Sequence, residues 1–276
     1  MTGQTSQHVD TPSWVPAWDG AAYATNTAHH RAHDDAFVDS LPLRADDRVL
    51  DLGCGSGDFT ATVAALVPDG HVVGLDAQPS MLDEARTRAA TNQSFVLAPV
   101  QHLDEALADS PPFDLVFSRA VLHWVPAGDV PGVYAAVARA LAPGGWFRVD
   151  CGGAGNVPAV VALFDDVARG FDGPRCPWNF ADPATAMAWL EAAGLDHEAG
   201  GRGWVRTVAQ RRRFDETSIR GWMHSQALAA YEVTMPAQHH AAFRAAVEER
   251  IDELRRADGS FDQTFVRLDL LARRPD

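Results

Sequence analysis

The chain has 276 residues and a formal net charge of −14, and all 23 of its cationic side chains are arginine. The absence of lysine excludes chemistries that require its amine, such as a Schiff base with pyridoxal phosphate, a phosphate-binding P-loop or a protein kinase site. The length suits one large domain or two small ones, and the apolar fraction of 46% is that of an ordinary globular protein.

The acidic balance argues against nucleic acid as the main partner, because binding phosphates requires clustered cations. One basic run, residues 211–213, is interpreted as an exposed strand or loop edge. The three cysteines lack the spacing of a zinc site or a disulfide framework, so no metal is predicted. The N-terminus holds no apolar segment typical of a signal peptide, and no run of about 18 apolar residues predicts a membrane helix. These features predict a cytoplasmic protein with no membrane partner.

The first half of the chain alternates strands and helices. Residues 21–41 are predicted to form a histidine-rich helix that Pro42 ends. An alternation of this kind favours a parallel sheet with helices on both faces. The predicted strands are residues 48–52, 71–76, 94–98, 114–118 and 146–150, the predicted helices are residues 58–67, 79–90 and 130–141, and a turn is predicted at 143–145.

After residue 150 the pattern changes. An irregular segment is predicted at residues 173–183, and the remaining elements include more helices than strands. The extra helices are expected to form a lid over the ligand end of the sheet. Helices are predicted at residues 157–170, 183–193, 217–231 and 236–256, and strands at residues 203–214 and 259–273.

The strongest motif is a Gly-x-Gly-x-Gly turn at residues 53–57, directly after the first strand. Glycine allows a sharp turn and a close approach of the backbone to a ligand. A dinucleotide site would carry its third glycine at position 58, which is Asp58, and Asp51 would repel a pyrophosphate. Asp76 ends the second strand, where a carboxylate can accept both ribose hydroxyls. The expected ligand is a nucleoside with a cationic 5′ substituent.

Four segments carry a resemblance to a known family. They are VLDLGCGSG at residues 49–57, GLDAQPSMLDEAR at 74–86, FDLVFSRAVLHWV at 113–125 and LAPGGWFRVD at 141–150. In order and spacing they resemble class I S-adenosylmethionine-dependent methyltransferases. The resemblance implies a Rossmann-like α/β fold, with a mostly parallel seven-stranded sheet and helical lid insertions. It also implies S-adenosyl-L-methionine as the cofactor.

The resemblance implies roles for individual residues. Asp51 and the glycine turn would hold the methionine moiety, Asp76 would bind the ribose, and Ala77 and Met81 would pack on the adenine. Cys54, within the turn, is expected to be a small filler rather than a nucleophile.

Adenine recognition departs from the family pattern. The acidic residue often found near the end of the third strand is absent near Pro99, so a backbone contact at Val100 or the side chain of Gln101 is expected instead. The predicted cofactor-binding residues are Asp51, Gly53, Cys54, Gly55, Ser56, Gly57, Asp76, Ala77, Met81, Val100, Gln101 and Ser118.

The acceptor pocket is expected at the end of the fourth strand. His123 is a candidate general base for a hydroxyl or amine acceptor, and the alternative is a structural histidine beside the cofactor. Trp124 either walls the pocket and donates its indole N–H to an acceptor oxygen or packs in the core. Arg119 could bind a carboxylate through two hydrogen bonds, although a position on the helix surface is favoured.

A polar cluster in the N-terminal helix supplies further candidates. Tyr23 and Asn26 lie near one helical face, as do Asn26 and His30, and this cluster is expected to cover the cofactor and face the acceptor. With the Leu-His-Trp segment, the cluster resembles small-molecule carboxyl O-methyltransferases, including relatives of trans-aconitate methyltransferase and juvenile-hormone-acid methyltransferase. In those enzymes a glutamine and the tryptophan grip the carboxylate, and here His29 or His30 occupies the glutamine's approximate place. The resemblance makes His29 and His30, with His123, candidate catalytic residues.

The lid segment supplies aromatic and polar groups. Trp178 and Phe180 are predicted to line the acceptor pocket, since aromatic walls suit a hydrophobic or planar acceptor. Trp222 is expected to pin the lid to the core, and His224 is a candidate for substrate binding together with Tyr23 and Asn26.

The predicted function is methyl transfer from S-adenosyl-L-methionine to a small-molecule acceptor, with oxygen of a carboxylate or hydroxyl favoured. The open alternatives are methylation at carbon or nitrogen, a cofactor-dependent cyclisation of a natural-product intermediate, and a non-catalytic cofactor-binding module. A single domain, residues 1–276, is divided into an N-terminal helical cap (1–45), a cofactor-binding half (46–150) and a substrate-side half with the lid (151–276). The protein is expected to be a monomer or homodimer.

Overall fold

A computed structural model describes residues 34–276. Seven strands form one sheet in the order β3-β2-β1-β4-β5-β7-β6. The strands are β1 (Arg48–Leu52), β2 (His71–Asp76), β3 (Gln93–Leu97), β4 (Phe113–Arg119), β5 (Leu141–Gly152), β6 (Trp204–Phe214) and β7 (Phe261–Arg273). The predicted α/β fold is confirmed.

Helices connect the strands and cover both faces of the sheet. The α-helices are α1 (Asp34–Asp39), α2 (Asp58–Leu66), α3 (Pro79–Thr87), α4 (Leu103–Ala106), α5 (Val130–Ala140), α6 (Pro158–Ala168), α7 (Pro183–Ala192), α8 (Glu216–Trp222), α9 (Leu228–Thr234) and α10 (His240–Arg250). A π-helical turn, Met223–Ala227, joins α8 to α9, so the helix predicted over residues 217–231 is not regular.

The first five strands are parallel, and the last two are antiparallel to their neighbours. β1 pairs with β2 and β4 in parallel, so the carboxyl ends of all three strands meet at one edge of the sheet. β7 pairs with both β5 and β6 in antiparallel fashion. Since β1 and β2 are almost wholly buried, their apolar runs fill the centre of the sheet.

The fifth strand begins earlier than predicted. Residues 143–145, expected as a turn, lie within β5 as an irregularity, where the register with β4 shifts between Phe113 and Leu115. The amide of Gly144 donates to the carbonyl of Arg274 (3.0 Å), and the amide of Arg274 donates to Gly145 (2.8 Å). Pairing with the chain after β7 therefore extends the strand through residues that favour a turn locally.

The N-terminal part of β7 extends beyond β5. The last pair between β5 and β7 is Gly152 with Arg267, whereas β6 and β7 continue to Phe214 with Phe261. We call residues 209–214 of β6 and 261–266 of β7 the overhanging strand pair. The loop that follows β5 runs along the other edge of β7, since the amide of Gly153 donates to the carbonyl of Val266 (2.9 Å). This pair forms a wall beyond the end of the parallel strands.

A separate apolar cluster packs on the overhanging strand pair. It buries Phe214, Phe261 and Phe265 against helices α6 and α8 to α10, which together we call the lid. Tyr231 of α9 is fully buried within the cluster, and its hydroxyl donates to Asp165 of α6 (2.6 Å). The lid thus has its own core and is fixed to the sheet through β6 and β7.

Candidate active site

One continuous cavity opens at the carboxyl ends of β1, β2 and β4 and extends beneath the lid. Its two ends have different linings. The glycine end is lined by Gly53, Gly55, Asp76, Ala77, Gln78, Met81, Pro99 and Val100. The lid end is lined by Arg119, His123, Trp124, Asn156, Trp178, Phe180, Arg212, Trp222, Gln226, Phe265 and Arg267, among others.

The turn after β1 requires glycine for steric reasons. Gly53 has φ +83°, and a Cβ there would lie 2.3 Å from Cγ2 of Val121. Its amide donates to the carbonyl of Leu75 (2.7 Å), which draws the turn toward the end of β2. The turn therefore lies close enough to β2 for Gly55 and Asp76 to share one wall of the cavity.

The carboxylate of Asp76 is held by backbone amides. Its Oδ2 accepts from the amide of Gly55 and its Oδ1 from the amide of Gln78, both at 2.9 Å. Burial raises the pKa of Asp76, and the hydrogen bonds from Gln78 and Gly55 oppose that rise. Each oxygen retains a further lone pair, so this carboxylate can accept hydrogen bonds from a pair of hydroxyls at the cavity surface.

Asp51 lies beneath the glycine turn rather than in the cavity lining. Its side chain is buried, and its Oδ2 accepts from the hydroxyl of Thr60 (2.7 Å). Burial raises the pKa of Asp51 to about 7; the Thr60 hydrogen bond and Arg119 lower it, and Asp76 raises it further. A nearby cation would favour the ionised form.

The other residues predicted to bind a cofactor divide into two groups. Ala77, Met81 and Val100 line the glycine end of the cavity. The remaining residues do not line the cavity: Cys54 and Ser56 are buried, Gly57 lies beside Ala85, Ser118 donates to the carbonyl of Leu52, and Gln101 donates to Asp129. Burial raises the pKa of the Cys54 thiol, which does not suit it to act as a nucleophile.

His123 is held in one tautomer. Its Nδ1 accepts from the amide of Gly152 (3.3 Å), so the proton of the neutral ring lies on Nε2. Burial, with a contribution from Arg267, lowers the pKa of His123 to about 3. The ring stacks on Phe180 with the centroids 5.9 Å apart, and no residue of 34–276 accepts a hydrogen bond from Nε2. His123 therefore presents a neutral donor.

Aromatic rings form much of the lid end. Trp178 stacks on Phe180 (5.4 Å between centroids) and meets Trp124 edge to face (5.9 Å). Trp222, expected to pin the lid, does pack on Phe265 of β7 (5.4 Å), and it also lines the cavity. The wall is therefore largely apolar, with its polar groups at a few positions.

Three arginines lie at the lid end. Arg267 donates from Nε to Asp150 (2.7 Å). Arg212 lies over the ring of Phe265 (4.5 Å) and, among residues 34–276, pairs with no carboxylate. Burial lowers the pKa of Arg212 to about 10, and the nearby charges of Arg267 and Arg119 lower it too, while Asp150 raises it. Among the described residues, Arg212 therefore brings to this part of the cavity a cation that has no paired carboxylate.

Sequence reasoning missed the position of Arg212. The interpretation of residues 211–213 as an exposed edge holds for Arg211 and Arg213, which are exposed, but Arg212 is half-buried in the cavity wall. The alternation of a strand was the available signal, because it places Arg212 on the face of Phe214. The expected helix-surface position of Arg119 is also wrong, since this residue ends β4 at the cavity.

Some candidate residues lie elsewhere. His224 does not line the cavity, and its ring pairs with Glu248 on the outer side of the lid. Tyr23, Asn26, His29 and His30 lie outside the described residues. Within residues 34–276, no cluster of three or more potential metal ligands occurs, and no helix is long and apolar enough to span a membrane.

Comparisons with known proteins agree with the fold. The sequence profile of the family described as "Methyltransferase domain" matches residues 49–145. The solved structure of the YcgJ protein from Bacillus subtilis has a TM-score of 0.60 at 18% identity, over 90% of this chain and 100% of that one. The trans-aconitate 2-methyltransferase of Methylobacterium nodulans is 32% identical over 267 residues, 93% of this chain and 98% of the relative. That of Methylobacterium radiotolerans is 28% identical over 272 residues, with the same coverage of 93% and 98%.

The fold, the glycine turn and these relatives together define the class: the chain belongs to the class I S-adenosylmethionine-dependent methyltransferases. It is an enzyme of that class, and its cofactor is S-adenosyl-L-methionine. Over almost its whole length it is similar to proteins named trans-aconitate 2-methyltransferase. The glycine end fits the cofactor, because the Asp76 carboxylate lies at the cavity surface beside apolar Met81 and Val100.

Proposed function

We propose that the enzyme methylates a carboxylate oxygen of a small organic acid. The observation that carries this proposal is the positive charge at the lid end, where Arg212 and Arg267 line the cavity; among the described residues Arg267 pairs with Asp150, while Arg212 pairs with no carboxylate. Guanidinium groups suit the planar carboxylate, to which they can donate two parallel hydrogen bonds. The name trans-aconitate 2-methyltransferase, carried by similar proteins, agrees with an acidic acceptor.

A carboxylate acceptor suits this site, because it needs no general base and the neutral His123 can donate a hydrogen bond to it. A carboxylic acid is ionised at neutral pH, so its oxygen attacks without a general base. When bound, S-adenosyl-L-methionine supplies an electrophilic methyl group: the oxygen–carbon bond forms as the carbon–sulfur bond breaks, the electron pair stays on sulfur, and a methyl ester and S-adenosylhomocysteine result. His123, neutral and with a proton on Nε2, would orient the acceptor by donating a hydrogen bond. It would not accept a proton.

We assign the cofactor to the glycine end. Asp76 would accept hydrogen bonds from the ribose hydroxyls, and Ala77, Met81 and Val100 would contact the adenine. The glycine turn would contact the methionine moiety. The buried carboxylate of Asp51, beneath the glycine turn, would attract the cationic methionine moiety, since attraction between opposite charges is strong in a buried site.

The acceptor would lie between this cofactor and the aromatic wall. Trp124, Trp178 and Phe180 would limit its orientation and exclude water, which favours an in-line approach of oxygen to the methyl carbon. Tyr23, Asn26, His29 and His30, which lie outside the described residues, stay candidates on the basis of the sequence resemblance.

The test is a product analysis. The purified protein is incubated with S-adenosyl-L-methionine and, separately, with trans-aconitate, other tricarboxylic and dicarboxylic acids, matched monocarboxylic acids, and alcohol and amine controls. We expect S-adenosylhomocysteine to form with acids, together with a methylated product that releases methanol on mild alkaline treatment, as an ester does. Turnover confined to alcohols or amines, or a product stable to alkali, would contradict the proposal.

A further inference from the structure

The wall formed by the overhanging strand pair and the π-helical turn contains polar atoms without partners. Within residues 34–276, the buried side-chain atoms that make no hydrogen bond include Nε of Arg212, Nε2 of Gln226 and both amide atoms of Gln263. Gln263 is only 1% exposed. Leaving a buried polar group unpaired is energetically costly, so a group of them in one wall is unusual unless a ligand or water uses the site.

The fold brings these side chains together from distant parts of the chain. Arg212 and Gln263 are directly opposite each other in the β6–β7 register, and both lie on the face that carries Phe214 and Phe265 toward the lid. Gln226 lies within the π-helical turn, and both it and Arg212 line the cavity. Turns of this kind interrupt α-helices frequently at functional sites.

The charges of the wall favour an anion. Arg212 has no carboxylate partner among the described residues, and its one side-chain hydrogen bond joins Nη2 to Oε1 of Gln210 (3.3 Å). The neighbouring cation Arg267 is already paired with Asp150. A guanidinium with adjacent amide groups offers N–H donors to both oxygens of a carboxylate.

We propose that Arg212 and Gln226 form a subsite for a second carboxylate of the acceptor, one that is held but not methylated. This inference rests on the proposed carboxylate O-methylation and extends it, because it assigns recognition of the distal acid group to the β6–β7 wall and the π-helical turn. The enzyme therefore selects polycarboxylic acids over monocarboxylic acids through side chains that do not contact the reacting oxygen.

The test compares paired acceptors. Steady-state kinetics are measured with a dicarboxylic or tricarboxylic acid and with a monocarboxylic acid of the same carbon skeleton, for wild type, Arg212→Gln, Arg212→Lys and Gln226→Leu. Arg211→Gln is the matched control, since Arg211 is the exposed neighbour on the opposite face of β6. Melting temperature and S-adenosylhomocysteine affinity are measured for each variant, so that a folding defect is recognised.

We expect Arg212→Gln to raise KM for the polycarboxylic acid by about tenfold or more, because the charge-assisted hydrogen bonds to the distal carboxylate are lost. KM for the monocarboxylic acid and for S-adenosyl-L-methionine should change less than about twofold. Arg212→Lys should retain part of the preference, Gln226→Leu should lower it by a few fold, and Arg211→Gln should match wild type.

Equal losses on both acceptors in Arg212→Gln would overturn the subsite. So would a loss confined to S-adenosyl-L-methionine, which would assign Arg212 to the cofactor carboxylate. The subsite would also be overturned if Arg212→Gln and Gln226→Leu both kept the wild-type melting temperature and the wild-type preference for the polycarboxylic acid. In each of these cases ester formation by wild type would leave the proposed function intact, whereas wild type that forms no ester with any acid would refute the proposed function itself.

Discussion

The glycine end and the lid end of the cavity differ in which atoms line them and in how far apart those atoms lie in the chain. The glycine end is lined by short contiguous segments, residues 53–55, 76–81 and 99–100, and its polar groups are backbone amides and the carboxylate of Asp76. The lid end is formed by side chains from six separate stretches between Arg119 and Arg267, and its charged groups are guanidiniums.

The difference in charge between the two ends fits the proposed reaction. The cofactor carries a positive sulfonium, and the glycine end places Asp76 at the cavity surface and Asp51 just beneath it. The proposed acceptor is an anion, and the lid end provides the cations. Each end attracts the reactant of opposite charge, which favours bringing the two reactants together. Transfer of the methyl group from sulfonium to carboxylate then leaves both reacting atoms neutral.

The largest effect is expected at the glycine end. Gly53→Ala would place a Cβ 2.3 Å from Cγ2 of Val121 on a residue with φ +83°. Strain and displacement of the turn should reduce turnover by about 100-fold or more. Gly128→Ala, where a Cβ meets no atom within 4 Å, is the control and should retain activity. Normal kinetics in Gly53→Ala would mean that the turn does not need to pack closely on Val121.

Asp76 tests the recognition of the ribose. Asp76→Ala removes the acceptor that now holds the amides of Gly55 and Gln78. We expect KM for S-adenosyl-L-methionine to rise about tenfold to 100-fold, with KM for the acid little changed. Asp83→Ala, an exposed substitution on α3 nearby, should behave like wild type. An effect on acceptor KM alone would break the assignment of Asp76 to the cofactor.

The pH dependence of cofactor binding should report on Asp51. Its pKa of about 7 in the folded protein means that the carboxyl is ionised only above neutrality, and a cation binds best to the ionised form. Affinity for S-adenosyl-L-methionine, measured by calorimetry, should rise about tenfold between pH 6 and pH 8 and then level off. Asp51→Asn should bind more weakly and show no such rise.

The same pKa predicts an effect on stability. Because the pKa of Asp51 is raised from 3.8 to about 7 on folding, the fold favours the protonated form, and the melting temperature without cofactor should fall as pH rises from about 4 to about 7 and then level off. Thr60→Val removes a hydrogen bond that lowers this pKa, so the rise in affinity should move to higher pH. A pH profile that is identical in wild type, Asp51→Asn and Thr60→Val would contradict the role of Asp51.

The smallest effect is expected at the lid end, in His123. With a pKa near 3 the ring stays neutral between about pH 5 and pH 8, so kcat at saturating substrates should be flat over that range. His123→Gln, which keeps an N–H donor, should lower kcat only a few fold, and His123→Leu should lower it more. The exposed His102 serves as control through His102→Gln. A rise in kcat near pH 6.5 that disappears in His123→Gln would restore the general-base interpretation.

The sheet could be predicted largely from local patterns. The strands at residues 48–52 and 71–76 begin and end as predicted, because apolar runs bounded by glycine and acidic residues specify strand and turn in the chain itself. The π-helical turn at Met223–Ala227 was not predictable in this way, since the surrounding pattern is that of a regular helix. Met223 and Ala227 are buried in the apolar cluster that packs on the overhanging strand pair, and the local pattern does not encode such a tertiary contact.

By itself, the sequence determined the class of fold, the cofactor and the glycine turn, because those depend on residues that are neighbours in the chain. Only the tertiary structure decided which arginine of residues 211–213 faces the cavity, that Trp222 both anchors the lid and lines the site, and that His123 is a neutral donor. The physical reason is that these features depend on contacts between residues far apart in the sequence. The register of Arg212 with Gln263 and the amide of Gly152 on the His123 ring depend on contacts between segments that are distant in sequence.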